Sequence, residues 1–183
     1  MNANFTISGA TKAEKYETLL PLLKGLVADE PNWIGVLANS AAALRQAMDF
    51  FWVGYYLADF FMAHYGISSS TAGDTAVRQT SSETLLLGPF QGDIACYNIK
   101  KGCGVCGTAL QQGTTLIVRN VEDFPGHIAC SSLSRSEIVV PLKCRETVIG
   151  VLDIDSDQLA SFDDIDRQYL EKVAQIIAQA IGQ

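Results

Sequence analysis

Cysteines and clustered carboxylates are the side chains of this chain best suited to chemistry. Of five cysteines, Cys96, Cys106 and Cys130 are spread along the second half of the sequence. Asp153 and Asp155 lie at the end of an apolar segment. A thiolate can attack an oxidised sulfur atom, a second thiol can close a disulfide, and a carboxylic acid can protonate a departing oxygen. Together these groups are equipped to reduce a sulfoxide.

The composition restricts the partners and compartment. The net charge is −7 and no basic run occurs, which argues against nucleic acid and anionic membrane surfaces. Residues 50–57 and 138–142 form the longest apolar stretches, and both are too short to span a bilayer. The N-terminus lacks the layout of a signal peptide. We therefore expect a cytoplasmic protein whose cysteines are reduced rather than held in permanent disulfides.

Hydrophobic periodicity predicts an α+β fold, with helices packed against a central, mostly antiparallel sheet. Thr11 and Glu14 form a capping box for a first helix, in which Pro21 should introduce a kink or mark the true start. Pro31 suits the first turn of a second helix. The remaining predictions are strands at 50–57, 85–90, 94–99, 115–118, 137–142 and 148–154, a short helix from about Val105, and a C-terminal helix over 163–181.

The length and the apolar share of 48% indicate one domain over residues 1–183. An insertion at about 58–83 interrupts it, and the second half of this insertion is small and polar. Such a composition favours a mobile loop.

Cys103 and Cys106 form a CxxC motif, which indicates either a redox pair or half of a zinc site. Zinc would need two more ligands, and the regular spacing of zinc ribbons is absent. The same segment fits GxGxxG, but the short strands around it do not supply the βαβ unit of a dinucleotide site. The further zinc ligands available are Cys96, Cys130 and His127.

The surroundings of each cysteine suggest different roles. Cys106 should lie in the first turn of a helix, where the dipole favours the thiolate. Cys130 follows Phe-Pro-Gly-His-Ile-Ala, a loop environment. Cys96 lies in a strand-like segment, where burial is the simpler explanation, and Cys144 ends an apolar strand and is interpreted as structural.

Asp153 and Asp155 point to the same face of their strand. They could form a solvated strand end, or an acid site in which neighbouring carboxylates raise one another's pKa and attract a substrate ammonium. Glu137 joins them only if the hairpin register allows it. A two-residue loop at Arg145 and Glu146 would turn Glu137 away, so we predict an odd-length loop, or a bulge near Pro141 with the same effect.

Trp52 and Tyr56 also share one face of a strand, with Gly54 between them. Core packing explains them, and so does an apolar wall for a thioether chain.

These features together resemble the free methionine-(R)-sulfoxide reductases, an enzyme family with the GAF fold. The similarity runs from about residue 50 to the C-terminus, and the two N-terminal helices fit as well. The matching segments are WVGYY at 52–56, LGPFQG at 87–92, IAC at 94–96, GVCGTA at 104–109, FPGHIAC at 124–130, SEIVVP at 136–141 and GVLDIDS at 150–156.

The resemblance implies a reductase of free methionine-(R)-sulfoxide without a bound cofactor or metal. Thioredoxin, which receives electrons from NADPH through thioredoxin reductase, or a similar dithiol would reduce the enzyme after each turnover. The family forms homodimers. In the implied site, Cys130 is the nucleophile, Cys96 is the main resolving cysteine, and Cys106 receives or relays the disulfide. The polar side of the pocket consists of Glu137, Asp153 and Asp155, with Asp155 as the proton donor. The apolar wall consists of Trp52 and Tyr56.

Three departures from the family pattern stand out. Cys103 is an extra cysteine, Ser131 replaces a frequent Asp after the nucleophile, and the connection 58–83 is unusually long. Two alternatives stay open: a GAF module that senses a small molecule without catalysis, and a zinc-stabilised structural protein.

Overall fold

The computed structural model describes residues 6–65, 84–128 and 131–182. A short 3-10 turn lies at Val121–Asp123. None of the helices in these ranges is long and apolar enough to cross a membrane. The helices are α1 (Lys12–Val27), α2 (Trp33–Met48), α3 (Asp59–His64), α4 (Gly104–Gln112) and α5 (Asp164–Ile181), and the strands are β1 (Trp52–Ala58), β2 (Thr84–Gln91), β3 (Asn98–Lys100), β4 (Leu116–Val118), β5 (Ser136–Cys144) and β6 (Thr147–Ser156).

The six strands form one sheet in the order β3-β2-β1-β6-β5-β4, with every neighbouring pair antiparallel. Strand residues such as Val53, Ile138 and Ile154 are buried in one apolar cluster with α1, α2 and α5. The alternate residues belong to a second cluster on the opposite face, which includes α4. The predicted α+β architecture, with two N-terminal helices and a C-terminal helix on an antiparallel sheet, is confirmed.

The first helix begins at its predicted signal. The Thr11 side chain accepts a hydrogen bond from the Glu14 backbone, and the Glu14 side chain accepts from the backbone of Thr11. Pro21 lies inside α1, so it does not mark the start of the helix. The buried Tyr16 hydroxyl donates to Asp166 at 2.8 Å, which ties α1 to α5 beneath the sheet.

Two predicted segments differ from the structure. The strand expected over 94–99 is reduced to Asn98–Lys100, because Ile94 and Tyr97 are 87% and 82% exposed and give the segment no alternating buried face. The connection after β1 begins with α3 at Asp59–His64 rather than with a loop. The rest of the predicted insertion, residues 66–83, lies outside the described residues.

Candidate active site

Strands β1, β6 and β5 lie side by side and bring the acidic residues to one face of the sheet. Asp155 pairs with Trp52 on one side and with Glu137 on the other. Asp153 pairs with Gly54 and Val139, one row further along. Because paired residues of antiparallel strands share a face, Glu137, Asp153 and Asp155 converge as predicted.

The register that produces this convergence differs from the preferred prediction. Cys144 pairs with Thr147, so the hairpin has the two-residue loop, and the predicted odd-length loop is wrong. A register shift follows between Leu142 and Lys143 and leaves Ile149 as an extra residue on β6. Such a bulge flips the side chains beyond it to the other face. The predicted alternative of a bulge is therefore what places Glu137, opposite Asp155, on the acidic face.

Helix α4 brings a thiol to the same cluster. The Cys106 Sγ lies 3.8 Å from Glu137 Oε1. The Cys106 Sγ and one carboxylate oxygen each of Glu137 and Asp153 all lie within 4.8 Å of one another. Gly107, the next residue of α4, packs against the end of β3, where a Cβ would collide with the carbonyl of Lys100.

Burial raises the pKa of all three carboxyl groups. Glu137 and Asp153 are almost fully buried, and burial followed by the neighbouring carboxylates holds their pKa values well above the ordinary range. Burial raises the pKa of Asp155 to about 6, against the lowering effect of a hydrogen bond from Ser134. Asp153 Oδ1 is buried without a hydrogen-bond partner among the described residues. A cluster of this kind can store protons and can receive a cationic group.

The predicted thiolate at Cys106 is wrong. Cys106 does lie in the first turn of α4, but it is only 3% exposed. Burial, and then the negative charges of Asp153 and Glu137, raise the pKa of its thiol well above the ordinary value. The cost of a buried charge next to carboxylates outweighs the helix dipole, which is worth about 1 kcal/mol.

Sequence reasoning missed two polar neighbours of the carboxylates. Ser134 donates to Asp155, and His127 Nε2 lies 3.8 Å from Glu137 Oε2. Burial lowers the pKa of His127, which favours a neutral imidazole. Both residues belong to the loop that leads into β5. Their proximity to Glu137 in sequence was the only available signal.

A small cavity lies at the centre of this cluster. Its volume is about 30 Å³, which is enough for a water molecule and too little for an amino acid. A larger concavity of about 850 Å³ lies between α5 and the β5–β6 hairpin. Its lining contains none of the clustered carboxyl and thiol groups, so the small cavity is the better candidate for the active site. The small cavity is lined by Ile99, Gly104, Val105, Cys106, His127, Ile128, Ser131, Ser134, Glu137, Asp153 and Asp155.

Trp52 and Tyr56 form an aromatic layer on the acidic face, next to the cavity rather than in its lining. Their ring centroids are 6.3 Å apart, and Phe90 stacks on Trp52 at 5.4 Å. The Trp52 indole donates to the carbonyl of Asp93 at 3.0 Å. Both predicted residues belong to the same apolar cluster as Cys106.

The cysteines divide into two states. Cys96 is disulfide-bonded, whereas Cys103, Cys106 and Cys144 are free thiols. Cys96 also packs against the apolar cluster that contains Cys106. Its disulfide differs from the expected reduced state and fits a cysteine that takes part in thiol–disulfide exchange. Cys130, the predicted nucleophile, lies outside the described residues.

The metal alternative can be judged on the described part of the chain. There, the only group with metal-ligand spacing is Cys106, Glu137 and Asp153, a mixed set of one soft and two hard donors. Neither Cys96 nor Cys103 joins it, so the described residues do not assemble the zinc site considered for the CxxC motif.

Comparisons with known proteins agree with this geometry. The GAF domain family model matches residues 32–181. GAF domain-containing protein A of Dictyostelium discoideum is 51% identical over 97% of this chain and 99% of its own length. Free methionine-R-sulfoxide reductase of Saccharomyces cerevisiae is 38% identical over 93% and 87%. The X-ray structure of free methionine-R-sulfoxide reductase from Neisseria meningitidis, in complex with its substrate, matches with a TM-score of 0.83 at 44% identity over 97% of this chain and 94% of that chain.

Proposed function

The chain belongs to the free methionine-R-sulfoxide reductases, a family of GAF-domain proteins, and on that premise we propose that it reduces free methionine-(R)-sulfoxide to methionine. The observation that carries the proposal is the cluster of Cys106, Glu137, Asp153 and Asp155 around one small cavity. A disulfide-bonded cysteine, Cys96, packs against the apolar cluster that contains Cys106. Thiols and proton-holding carboxyl groups are the two functional groups that sulfoxide reduction needs.

Substrate recognition rests on charge. The ammonium of a free amino acid would bind Glu137 and Asp153, whose carboxyl groups would then ionise because a buried positive charge lowers their pKa. Asp153 Oδ1, which is buried and has no hydrogen-bond partner in the described part of the chain, is suited to accept one of the ammonium hydrogen bonds. The substrate carboxylate would meet backbone N–H groups around residues 126–133. A residue within a peptide has neither charge, which explains a preference for the free amino acid.

The thioether end of the substrate would lie against Trp52 and Tyr56, where sulfur–aromatic contacts are favourable by about 1 kcal/mol. The cavity in the present disulfide-bonded state has a volume of about 30 Å³. Binding of the substrate therefore requires this cavity to widen.

In the chemical step, the thiolate of Cys130 attacks the sulfoxide sulfur and Asp155 donates a proton to the departing oxygen. A pKa of about 6 suits a group that must both hold and release a proton near neutral pH. Methionine leaves, and Cys130 carries the oxygen as a sulfenic acid. Cys96 then condenses with the sulfenic acid, which forms a disulfide and releases water.

A dithiol reductant of the thioredoxin type, fed by NADPH and thioredoxin reductase, would return the disulfide to two thiols. Cys106 receives or relays the disulfide during this step. Such reductants belong to the cytoplasm, which is the compartment we propose for the reaction.

The test compares three proteins in a coupled assay with free methionine-(R)-sulfoxide. The wild type and Cys144→Ser should turn over at similar rates, because Cys144 lies at the far end of the β5–β6 hairpin. Cys130→Ser should lose activity by a factor of at least about 1,000, since serine cannot form the sulfenic acid or the disulfide. Equal rates for Cys130→Ser and the wild type would refute the nucleophile. Binding of the substrate without any loss of thiols would instead support a sensor.

A further inference from the structure

The glycine-rich turn before α4 carries the two cysteines of the CxxC motif. Cys103 is exposed and Cys106 is buried, and both are free thiols. The turn is closed by hydrogen bonds from Gly107 N to the Cys103 carbonyl at 3.1 Å and from Gly102 N to the Gly107 carbonyl at 2.8 Å. One thiol of the motif therefore faces solvent while the other lies in the acidic cluster.

The spacing of the two cysteines permits a disulfide after a small movement. Cys103 is the N-cap residue of α4 with an extended backbone (φ −105°, ψ 133°), and Cys106 follows three residues later in the first turn of the helix. A CxxC motif at a helix N-terminus is the arrangement of thiol–disulfide oxidoreductases. Gly102 and Gly104 flank Cys103 and adopt φ values of +77° and +60°. Because these glycines have wide conformational freedom, the backbone on both sides of Cys103 can adjust to bring its thiol to that of Cys106.

The buried thiol and the disulfide-bonded Cys96 are associated with the same apolar cluster. Cys106 belongs to the apolar cluster against which the disulfide-bonded Cys96 packs. Ile99, which follows Cys96 by three residues, lines the same cavity as Cys106. In contrast, Cys96 itself is only partly exposed, so a protein reductant reaches Cys103 more easily.

We propose that Cys103 and Cys106 form a second redox pair, which takes over the disulfide of Cys96 and Cys130 and carries it to the protein surface. The inference rests on the proposed function and adds a residue, Cys103, that the family pattern does not contain.

The transfer is a balanced exchange between one dithiol, Cys103 and Cys106, and one disulfide, Cys96–Cys130. The Cys106 sulfur attacks the Cys96–Cys130 disulfide, and one of the two sulfurs leaves as a thiolate. Cys103 then attacks the mixed disulfide, which releases the other sulfur and forms the Cys103–Cys106 bond. The two protons lost by Cys103 and Cys106 are gained by Cys96 and Cys130. The Cys106 thiol donates a hydrogen bond to Glu137 Oε1 at 3.8 Å, which connects it to the carboxyl groups through which protons can be exchanged.

The stoichiometry of methionine release without a reductant tests the proposal. Each sulfoxide consumes two electrons, which one disulfide stores. The fully reduced wild type should release about two methionines per chain, because the first disulfide moves to Cys103 and Cys106 and the site reacts again. Cys103→Ser cannot form the second disulfide, so it should end with one disulfide per chain where the wild type ends with two. Cys144→Ser, the matched control, should behave as the wild type.

Tryptic mapping identifies the bonds that form. Cleavage after Lys101 and Arg119 gives a peptide, residues 102–119, that contains Cys103 and Cys106 and no other cysteine. After exhaustive reaction, this peptide of the wild type should resist alkylation and have lost two hydrogen atoms. Release of only about one methionine by the wild type, with this peptide still reduced, would overturn the proposal.

A second measurement does not depend on the proposed function. The variant Cys96→Ser/Cys130→Ser is equilibrated with glutathione redox buffers, and the peptide 102–119 is analysed. Formation of an internal disulfide supports the pair. The redox pair is refuted if the peptide carries only mixed disulfides with glutathione or remains unchanged. If no methionine is released but this disulfide forms, the proposed function fails while the pair stands.

Discussion

Replacing Asp155 by Asn should stabilise the protein at neutral pH while impairing the reaction. Burial raises the pKa of Asp155 from its ordinary 3.8 to about 6. A tenfold change in proton affinity corresponds to about 1.4 kcal/mol, so keeping this carboxylate ionised in the folded state costs about 3 kcal/mol. Asn has almost the same shape, can still accept the hydrogen bond from Ser134, and carries no charge.

The pH dependence follows from the same shift. Because the folded-state pKa of Asp155 is higher than the unfolded one, the folded state binds more protons between about pH 4 and pH 6. The free energy of unfolding of the wild type should therefore fall as the pH rises through this window. The penalty is complete above pH 6 or so and absent below the unfolded pKa.

Urea unfolding from pH 4 to pH 8 measures this effect. At pH 7.5, Asp155→Asn should exceed the wild type by up to about 3 kcal/mol, or roughly 6–12 °C in melting temperature. Its stability should also fall less steeply with pH, although Glu137 and Asp153 keep part of the slope. Asp157→Asn, at an exposed position two residues on, is the control and should match the wild type. An Asp155→Asn variant with wild-type stability and slope would refute the argument.

Three further predictions concern the surroundings of the site. In the reduced protein, iodoacetamide should modify the exposed Cys103 first and Cys106 only on unfolding, as measured by peptide mass spectrometry; equal rates would contradict the burial of Cys106. Gly107→Ala should lower the free energy of unfolding by about 1–3 kcal/mol through overpacking against Lys100. Gly25→Ala, whose Cβ meets nothing within 4 Å, should raise the free energy of unfolding by up to about 1 kcal/mol. A change of the same sign in both variants would contradict the packing argument. Glu137→Gln should reduce kcat/KM by about 10–100-fold through the loss of a charged hydrogen bond, mainly in KM, and an unchanged KM would exclude Glu137 from ammonium binding.

Local signals in the sequence predicted most of the elements. The capping box at Thr11 and Glu14 defines the start of α1, and the apolar periodicity of 163–181 gives α5 almost to the residue. The strand predicted at 94–99 failed because an apolar, β-branched composition does not reveal that Ile94 and Tyr97 face solvent. Exposure depends on how a segment packs against the rest of the sheet, not on local preference.

The candidate site depended on long-range geometry. The three carboxyl groups were found in the sequence, but their common face depends on a bulge at Ile149 that no turn residue signals. The raised pKa of Cys106 was missed for a related reason. Its position in a helix is local information, whereas its burial against Glu137 and Asp153 arises only when α4 packs on the sheet. His127 and Ser134 became visible as partners only in the structure.

The measurement that tests the central proposal most directly is thioredoxin-coupled NADPH oxidation by the wild-type protein with three substrates at equal concentration. These are free methionine-(R)-sulfoxide, the free S epimer and a peptide that contains methionine sulfoxide. We predict turnover with the free R epimer alone. The peptide lacks the ammonium and carboxylate that the acidic cluster and the backbone amides would bind, and the preference for the R over the S epimer is expected from the similarity to the free methionine-R-sulfoxide reductases. The absence of turnover with the free R epimer, or equal turnover of the peptide, would contradict the proposed function.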